Sequence, residues 1–538
     1  MVKTLELRIE ELRKIFEREK RLLFFCLAAS LGWGLVAHAF GFLNANFSHD
    51  SLNAFYATTI EDTWKVELGR FLVPIYRKLT RGAVAFPWLI GILALIYIGI
   101  SAYLVVKIFR TKSKIATAMI CGVMSTNITV TAITATYIHD LDVNMLALLL
   151  AVGAAYIWYA DISTPLKIIG GAVSLAASIG LYQSYMAVTL SLMIFSLIIA
   201  LLAGDDSKQI VLKGIKGIAI LIVGGILYYI ACKFALFIVG VTLQERTNVF
   251  VYNGTSLLSL CRELFKRGEI TYSDFFQRFI QYASYSAYPK EILLVVVLII
   301  AAIILLIVFY TFQRNSKMNQ SKKLLTGVLG IIVPFGVNIT YFLSRGIIHD
   351  LMTYSYWMVF VAFITLVFNF ADKKYIEYNL ILKGTSVLVI VVLLWTNIVT
   401  ANTAYIKKDL EEKSELSLMT RVIAMMESQE EYTVGETQVV FVGVSPLNTM
   451  IPGFDNVSKI MGLEWNAPIP SDGSMYYYNA YKAYFDYILN YPINYCSNDV
   501  HHRLKEMPEV QNMPTFPNAG SIKMIDGVMV VKMGDYKM

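Results

Sequence analysis

The stretch FPWLIGILALIYIGISAYLVVKI, residues 86–108, contains one charged residue, Lys107, and is otherwise almost entirely apolar. Such a run is long enough to cross a hydrocarbon core about 30 Å thick as an α-helix. Over the whole chain of 538 residues, 57% are hydrophobic and only 16% are charged, and the mean hydropathy is +0.58. Soluble domains carry about 25% charged residues. The composition therefore predicts a polytopic membrane protein and excludes an ordinary soluble domain.

Runs of the same kind recur along the chain and predict about eleven transmembrane helices. Their ends are soft by several residues, because apolar periodicity does not define where a helix stops. The predicted spans are 21–43, 86–108, 115–136, 145–160, 166–182, 185–203, 215–239, 290–311, 324–343, 352–371 and 380–401.

The distribution of basic residues predicts the orientation of these spans. Short loops rich in Lys and Arg lie on the cytoplasmic side of membranes. Basic segments such as FRTKSK (109–114) and FQRNSKMNQSKK (312–323) alternate with basic-poor ones. The N-terminus is therefore predicted to be cytoplasmic, and an odd number of spans places residues 402–538 outside. The formal net charge of +7 is explained by these loops and requires no nucleic-acid partner.

The regions outside the membrane core divide the chain into parts. Residues 1–20 are too charged for a signal peptide and predict a cytoplasmic amphipathic helix, followed by a transmembrane domain over 21–401. Two large outer loops, 44–85 and 241–289, have apolar stripes typical of helices lying in the membrane interface. Residues 402–538 are predicted to form a small extracytoplasmic α/β domain.

Two patterns support that C-terminal α/β domain. The stretch TQVVFVGV (437–444) is typical of a buried strand, and Asp526-Gly527 lies between two apolar runs as the turn of a β-hairpin.

In the first outer loop, the basic side chains are predicted to face lipid headgroups or solvent. These are Arg70, Arg77, Lys78 and Arg81.

The cysteines do not predict a disulfide framework. Cys26, Cys121 and Cys232 fall inside predicted spans, where packing explains them. Cys261 and Cys496 lie on the predicted outer side and could pair, but their spacing does not require it. The chain contains no Gly-rich phosphate loop, zinc-ligand spacing or Ser-His-Asp pattern. We therefore predict neither a cofactor nor a metal.

The stretch NANFSHDSLNAFYA, residues 44–57, places His49 and Asp50 directly after the first span. Ser48 is a candidate N-cap, which puts Asp50 in the first turn of a helix. One interpretation is that Asp50 only complements the helix N-terminus. The other is that Asp50 is a general base, because partial desolvation raises the pKa of a carboxylate toward the working range. Adjacent helical residues point apart, so His49 is the weaker candidate.

A second acidic stretch, TYIHDLDVN (136–144), contains His139, Asp140 and Asp142. One interpretation is that these are solvated residues of a short outer loop. The preceding span is rich in threonine, which is typical either of helix packing or of the wall of a water-filled cavity. The second interpretation is therefore a set of carboxylates at the mouth of such a cavity.

A third cluster, SRGIIHD (344–350), contains Arg345, His349 and Asp350. An arginine in an outer loop runs against the positive-inside bias, and polar groups near membrane depth are usually functional or paired. The Arg345 guanidinium could bind a phosphate through two parallel hydrogen bonds. The alternatives are an ion pair with Asp350 or a contact with a lipid headgroup.

Four stretches taken together resemble a known family. They are SHDSL (48–52), LGRFLVP (68–74), HDLDVN (139–144) and MPTFPNAGSIKMIDGVMVVKMG (513–534). In their order and topology, over nearly the whole chain, they are similar to the bacterial and phage glucosyltransferases that modify O-antigen and change serotype. Those enzymes belong to glycosyltransferase superfamily C, called GT-C. Each stretch alone is short and permissive.

The resemblance implies a GT-C-like hexosyltransferase in the bacterial plasma (inner) membrane. It would move a sugar, typically glucose, from a polyprenyl-phosphate donor to a surface glycan on the extracytoplasmic face. The donor lipid and the glycan acceptor are then its partners, together with membrane lipid, a companion flippase and an enzyme that synthesises the donor. A phosphate-linked sugar leaves as a weakly basic anion, so the site needs a base and cations more than a general acid.

The resemblance also implies roles for individual residues. The superfamily places an acidic base in the first outer loop, which matches Asp50. It often has a second, adjacent acid; here His49 stands in that place, and Asp140 or Asp142 could supply it. Further candidate residues bind the donor phosphate or support the acidic residues. The phosphate-binding candidates are Arg70, Arg345 and His349, and the supporting candidates are His49 and His139.

Other functions remain open at this point. A flippase or transporter for lipid-linked saccharides would have similar spans, but such proteins commonly contain repeats and paired broken helices, which this sequence lacks. A polysaccharide polymerase or ligase would also bind a polyprenyl-linked glycan from outside. A membrane-anchored glycan-binding module is a non-enzymatic alternative, although an anchor needs one span rather than eleven.

Overall fold

A computed structural model describes most of the chain. The described residues are 2–44, 46–48, 50–52, 58–82, 85–244, 257–314, 319–344, 348–370, 379–443, 453–460 and 482–534. Their side chains are described too, except at residues 2–16, 58–61, 257–260 and 379. The predicted site residues His49 and Arg345, and most of the predicted aromatic helix before Lys482, lie outside the described residues.

The described part of the chain is mostly helical, as expected where apolar runs must satisfy their backbone groups internally. The N-terminal half contains α1 (Val2–Leu43), α2 (Thr58–Glu67), α3 (Leu72–Thr80), α4 (Pro87–Ile108), α5 (Lys114–Thr126), α6 (Ile128–Thr136), α7 (Leu141–Tyr159), α8 (Thr164–Leu181), α9 (Met186–Ala203) and α10 (Ser207–Val239). The second half contains α11 (Leu257–Ser284), α12 (Glu291–Arg314), α13 (Gln320–Val337), α14 (Ile339–Leu343), α15 (Tyr354–Phe370) and α16 (Asn379–Glu427), followed by the short helices α17 (Asp455–Ser458), α18 (Asn498–Glu506) and α19 (Pro508–Gln511).

Among the described residues, nine helical segments are long and apolar enough to cross a membrane, and one of them consists of α5 and α6 together. They agree with a polytopic helical membrane protein and correspond to nine of the eleven predicted spans. The remaining two predictions, 324–343 and 352–371, also fall on helices. However, α13 ends at Val337 before α14 begins, and α15 has 17 residues. The count of eleven therefore stays a prediction.

The threonine-rich third predicted span is broken into α5 and α6 at Asn127. The Asn127 side chain accepts a hydrogen bond from the Val130 amide and caps α6. The hydroxyls of Thr126 and Thr131 donate to backbone carbonyls four residues earlier, and Thr129 donates to the Asp350 carbonyl. These threonines are fully buried. Their contacts favour helix packing over the wall of a water-filled cavity.

One long helix, α16, connects the apolar bundle to the C-terminal region. It runs for 49 residues without interruption across position 401, where the predicted transmembrane domain ends. Its first part packs into the bundle core up to Tyr405, and its last part packs from Leu418 into a second core. Similarly, α1 is continuous from the charged N-terminal residues into the first span.

The second core lies under a small mixed sheet. Its strands are β1 (Gln438–Val442), β2 (Asn494–Tyr495), β3 (Ile522–Ile525) and β4 (Val528–Lys532), in the order β2-β1-β4-β3. Strand β1 is parallel to both neighbours, whereas β3 and β4 are antiparallel. Asp526 and Gly527 form the turn with φ of 50° and 73°, as a two-residue hairpin turn requires. The predicted strand and hairpin are thus confirmed.

Candidate functional site

The LGRFLVP stretch joins α2 to α3 and is fixed against two other helices. Gly69 has a φ of 75°, which favours glycine, and a Cβ there would lie 2.4 Å from the Tyr228 hydroxyl oxygen. The Tyr228 hydroxyl donates to the Gly69 carbonyl over 3.2 Å. The Gln183 side-chain amide donates to the Leu68 carbonyl over 2.6 Å. These contacts hold the loop so that α2 and α3 face residues 138–142.

Asp140 lies in a 3₁₀ turn directly before α7 and is paired with two cations from that loop. Its carboxylate contacts Lys65 Nζ from α2 and accepts a hydrogen bond from Arg77 Nη2 of α3 over 2.5 Å. His139 Nε2 lies 3.6 Å from the same carboxylate. All four side chains are at most 8% exposed. The charge of Asp140 is therefore balanced inside the protein.

Asp142, in the first turn of α7, is paired in the same way with one arginine. Arg81 Nε donates to Asp142 Oδ2 over 2.8 Å, and Arg81 Nη2 donates to Oδ1 over 3.1 Å. This two-pronged contact leaves the Asp142 side chain 0% and the Arg81 side chain 1% exposed. The Tyr76 hydroxyl donates to Oδ2 over 3.1 Å. Burial, and then the nearby Asp142 carboxylate, raise the pKa of Tyr76.

We call these five charged residues, Lys65, Arg77, Arg81, Asp140 and Asp142, the ion-pair cluster. Its burial shows that the interpretation of Asp140 and Asp142 as solvated loop residues is wrong. The prediction that Arg77 faces headgroups or solvent is also wrong, since its side chain is 3% exposed, and so is the same prediction for Arg81. Lys78 is 75% exposed, as predicted. A carboxylate bound by cations is weakly basic.

Asp50 lies beside the same turn in a different environment. Ser48 and Ser51 both donate to the Thr136 carbonyl, Ser51 over 2.9 Å. The Ser51 hydroxyl is also 3.3 Å from His139 Nδ1. The Ser51 amide donates to the Ser48 hydroxyl, which agrees with Ser48 as N-cap. Asp50, between these serines, is only partly buried.

Arg70 is a cation of a different kind from those of the ion-pair cluster. Its guanidinium carbon lies 4.3 Å from the centroid of the Tyr182 ring, a geometry that stabilises a cation. Among the described residues, Arg70 forms no ion pair, and its buried Nε has no hydrogen-bond partner. Arg70 is thus positioned on an aromatic face with donors available for an anion.

The third predicted cluster is held by a residue that the sequence interpretation did not consider. Asp350 is fully buried, accepts a hydrogen bond from Tyr285 over 2.9 Å, and lies 3.7 Å from Arg278 of α11. Arg278 also contacts Asp274 over 3.3 Å. Burial alone would lower the pKa of Arg278, but its tyrosine and aspartate neighbours raise it. His349 is half-buried next to Asp350, and Arg345 lies outside the described residues.

Local pattern could have indicated some of these cations. Arg77 and Arg81 are four residues apart and so lie on one helical face. They also run against the positive-inside bias that drew attention to Arg345. Lys65 and Arg278 had no comparable signal. In the part of the chain that the structure describes, no group of three or more His, Cys, Asp or Glu side chains is placed to hold a metal ion.

Comparison with known proteins gives one match. A family model described as glucosyl transferase GtrII matches residues 39–366, more than half of the chain. The matched region begins before Asp50 and includes the ion-pair cluster, Arg70 and Asp350. No curated protein and no solved structure matches the chain.

Proposed function

The chain belongs to the glucosyl transferase GtrII family and is a membrane-embedded glycosyltransferase, and on that premise we propose its donor, acceptor and site. It transfers glucose from a polyprenyl-phosphate donor to a cell-surface polysaccharide such as O-antigen. The reaction takes place on the extracytoplasmic face of a bacterial plasma membrane. The N-terminus is cytoplasmic, and the C-terminal sheet region lies on the same side as the site.

The observation that carries the proposal is the contrast between the three predicted acids. Asp140 and Asp142 are buried and bound by cations, whereas Asp50 is partly exposed beside them. A general base must reach an incoming hydroxyl and must be able to accept its proton. Asp50 meets the first requirement better than the other two, because it is the only one of the three that is partly exposed.

In the proposed reaction, Asp50 removes the proton of an acceptor hydroxyl as its oxygen bonds to the anomeric carbon of glucose. The bond from that carbon to the donor phosphate oxygen breaks at the same time, and the electron pair leaves with polyprenyl phosphate. Direct attack inverts the anomeric configuration. Arg70 binds the leaving phosphate, with Arg345 and His349 as further candidates. No cofactor and no metal enters the scheme.

Asp140 and Asp142 act in this scheme as positioning residues. Their pairing with Lys65, Arg77 and Arg81 attaches the loop that carries Arg70 to the start of α7. The same turn contacts Ser51 through His139. Asp50, the candidate base, and Arg70, the candidate phosphate-binding residue, are therefore held in position relative to each other by contacts with the same buried turn at the start of α7.

The donor chemistry implies two other activities in the cell. Nucleotide sugars occur in the cytoplasm, so an enzyme there must attach the sugar to the lipid carrier. A flippase must then move the lipid-linked sugar across the membrane.

A labelled polyprenyl-monophosphate glucose, supplied to proteoliposomes with purified enzyme and polysaccharide, tests the proposed function. The expected result is release of polyprenyl phosphate with label on the polysaccharide. Movement of intact labelled donor across the membrane, without release, would instead indicate a flippase. Activity only with a diphosphate-linked oligosaccharide would indicate a polymerase or ligase.

A further inference from the structure

The buried stripe of α16 changes character between the two cores. Apolar residues up to Tyr405 pack in the bundle core, alongside the uncharged polar residues Thr396, Asn397 and Thr400, and apolar residues from Leu418 pack in the core under the sheet. Between these ends the stripe is occupied by Lys408, Glu411 and Glu415. Lys408 is 1% exposed and Glu415 is 3% exposed. Folding alone favours apolar residues at such positions, so ionisable ones indicate a functional demand.

Several polar atoms in this stripe are buried without a partner. Glu411 Oε1 binds Lys407 Nζ over 2.5 Å, but Glu411 Oε2 and Glu415 Oε1 have no hydrogen-bond partner among the described residues. The same is true of the hydroxyl of Tyr484, a residue that is 2% exposed. Leaving a buried polar group unsatisfied costs about 1–3 kcal/mol, and more for a charged one.

The Tyr484 hydroxyl and the glutamates belong to one site. Burial, and then the Glu415 and Glu412 carboxylates, raise the pKa of Tyr484. Tyr484 packs in the same core as Leu418 and Met419 of α16, which lie one turn after Glu415 on the same helical face, so the Tyr484 side chain lies near Glu415 although it comes from a different part of the chain. We call Glu411, Glu415 and Tyr484 the junction site.

The junction site faces the segment that carries the candidate base. Phe47 packs against both the bundle core and the core under the sheet. Leu52 is 2% exposed and belongs to the same core as Leu418 and Tyr484. Asp50 lies between Phe47 and Leu52 in the chain. A ligand at the junction site would therefore lie next to the segment from which Asp50 acts.

The chemistry of the site restricts what it can bind. Burial, and then the Glu412 and Glu411 carboxylates, raise the pKa of Glu415 well above its usual range. A protonated carboxyl and a tyrosine hydroxyl both donate and accept hydrogen bonds. Lys407 is bound to Glu411, and the unpartnered oxygens of Glu411, Glu415 and Tyr484 carry no positive charge that would attract a phosphate. A neutral ligand with several hydroxyl donors fits, and a sugar has this chemistry.

We propose that Glu415 and Tyr484 bind hydroxyl groups of the acceptor glycan and so present one of its hydroxyls to Asp50. This assignment rests on the proposed function and adds the residues that hold the acceptor. It predicts that the junction site determines acceptor affinity, while donor binding depends on other residues.

The test uses full-length enzyme in nanodiscs, labelled polyprenyl-monophosphate glucose, and O-antigen polysaccharide from the bacterium that carries this chain. Glu415→Gln and Tyr484→Phe each should raise KM for the polysaccharide about 10- to 100-fold, since each removes a buried hydrogen bond to the ligand. The KM for the donor and the kcat at saturating acceptor should stay within about twofold. Glu430→Gln, at an exposed glutamate, is the control and should change nothing.

Thermal unfolding separates acceptor binding from a structural role. Glu415→Leu removes a buried, partly unsatisfied carboxyl group, while Lys408 retains the Glu411 carboxylate as a neighbouring opposite charge. The unfolding midpoint of this variant should therefore equal or exceed that of wild type, while its KM for the acceptor rises. An unchanged acceptor KM in Glu415→Gln and Tyr484→Phe would overturn the assignment. So would lowered midpoints in these variants with unchanged acceptor KM, which would indicate a structural role.

A binding measurement without donor keeps this test independent of the proposed function. Saturation-transfer NMR of the polysaccharide with wild type should give a signal that Glu415→Gln loses. If wild type transfers no sugar from the donor, the proposed function fails, but retention or loss of the binding signal in Glu415→Gln still decides the acceptor assignment. Equal signals from wild type and variant would contradict it.

Discussion

The ion-pair cluster and the junction site are both buried and charged, but they differ in how their polar atoms are satisfied. In the ion-pair cluster, each carboxylate has at least one cation within 2.8 Å. In the junction site, a carboxylate oxygen of Glu415 and the hydroxyl of Tyr484 have no partner among the described residues. Satisfied charges stabilise one structure, whereas unsatisfied ones are costly unless a ligand completes them. We therefore infer that the ion-pair cluster holds the site together, whereas the junction site binds the acceptor glycan.

Asp50→Asn should have the largest effect, because it removes the carboxylate that accepts the proton while it keeps a side chain of nearly the same size and shape. Loss of general-base catalysis costs typically about 10²- to 10⁴-fold in rate. The measurement is kcat for glucose transfer, with membrane abundance and unfolding midpoint as controls for folding. Wild-type transfer by Asp50→Asn would move the base to Asp140 or Asp142 and remove the distinction between the paired and the partly exposed acids.

Arg81→Met should have the next largest effect, on stability. It leaves the Asp142 carboxylate, which is 0% exposed, without its arginine, and breaking a buried pair on one side costs about 3–5 kcal/mol. Unfolding in SDS measures the free-energy change. The matched control is Lys78→Met, because Lys78 is 75% exposed at 3.6 Å from Asp62 and exposed pairs contribute about 0–1 kcal/mol.

The double variant Arg81→Met with Asp142→Leu sharpens the same prediction. Removing both charges leaves no unpaired carboxylate, so the double variant should recover much of the stability that Arg81→Met loses. Equal losses in the single and double variants would mean that the pair does not stabilise the loop electrostatically.

Gly69→Ala, compared with Gly82→Ala, should have an intermediate effect on stability. Both glycines have positive φ, 75° and 74°, so both substitutions carry the same backbone strain of about 1 kcal/mol. Only at Gly69 does the new Cβ meet another residue, the Tyr228 hydroxyl. We expect Gly69→Ala to lose about 1–3 kcal/mol more than Gly82→Ala in the free energy of unfolding. Equal losses would show that Tyr228 moves aside freely.

Arg70→Lys should have the smallest effect and should concern only the donor. The charge is retained, but the planar guanidinium that binds a phosphate through two hydrogen bonds is lost. We expect the donor KM to rise about tenfold, which corresponds to about 1.4 kcal/mol, with acceptor KM unchanged. A change confined to acceptor KM would contradict the assignment of Arg70 to the phosphate.

Structural features that depend on local sequence pattern, such as membrane spans, turns and helix caps, could be predicted well from the sequence. Apolar runs such as residues 86–108 gave α4 to within a residue at its start, because length and apolarity alone decide whether a segment can span. The hairpin at Asp526-Gly527 followed from turn chemistry within two residues. The position of Asp50 in a first helical turn followed from Ser48 as N-cap.

The rest depends on contacts between distant residues. Asp140 is paired with Lys65 and Arg77, which lie 75 and 63 positions away in the sequence. The local periodicity of apolar and polar residues does not indicate partners at such separations. The inward direction of Arg77 is decided by the acid it meets rather than by its own helix. The continuity of α16 beyond position 401 was missed for a simpler reason. The change in composition suggested a boundary, but no proline interrupts residues 379–427.

The most direct test of the central claim is a cryo-electron microscopy map of the enzyme with acceptor glycan and a phosphonate analogue of polyprenyl-phosphate glucose, which cannot release its lipid. The account predicts the Asp50 carboxylate within hydrogen-bond reach, roughly 3 Å, of an acceptor hydroxyl that faces the anomeric carbon, with Asp140 and Asp142 still bound to Lys65, Arg77 and Arg81. Asp140 or Asp142 released from those cations and lying against that hydroxyl, with Asp50 turned away, would contradict it.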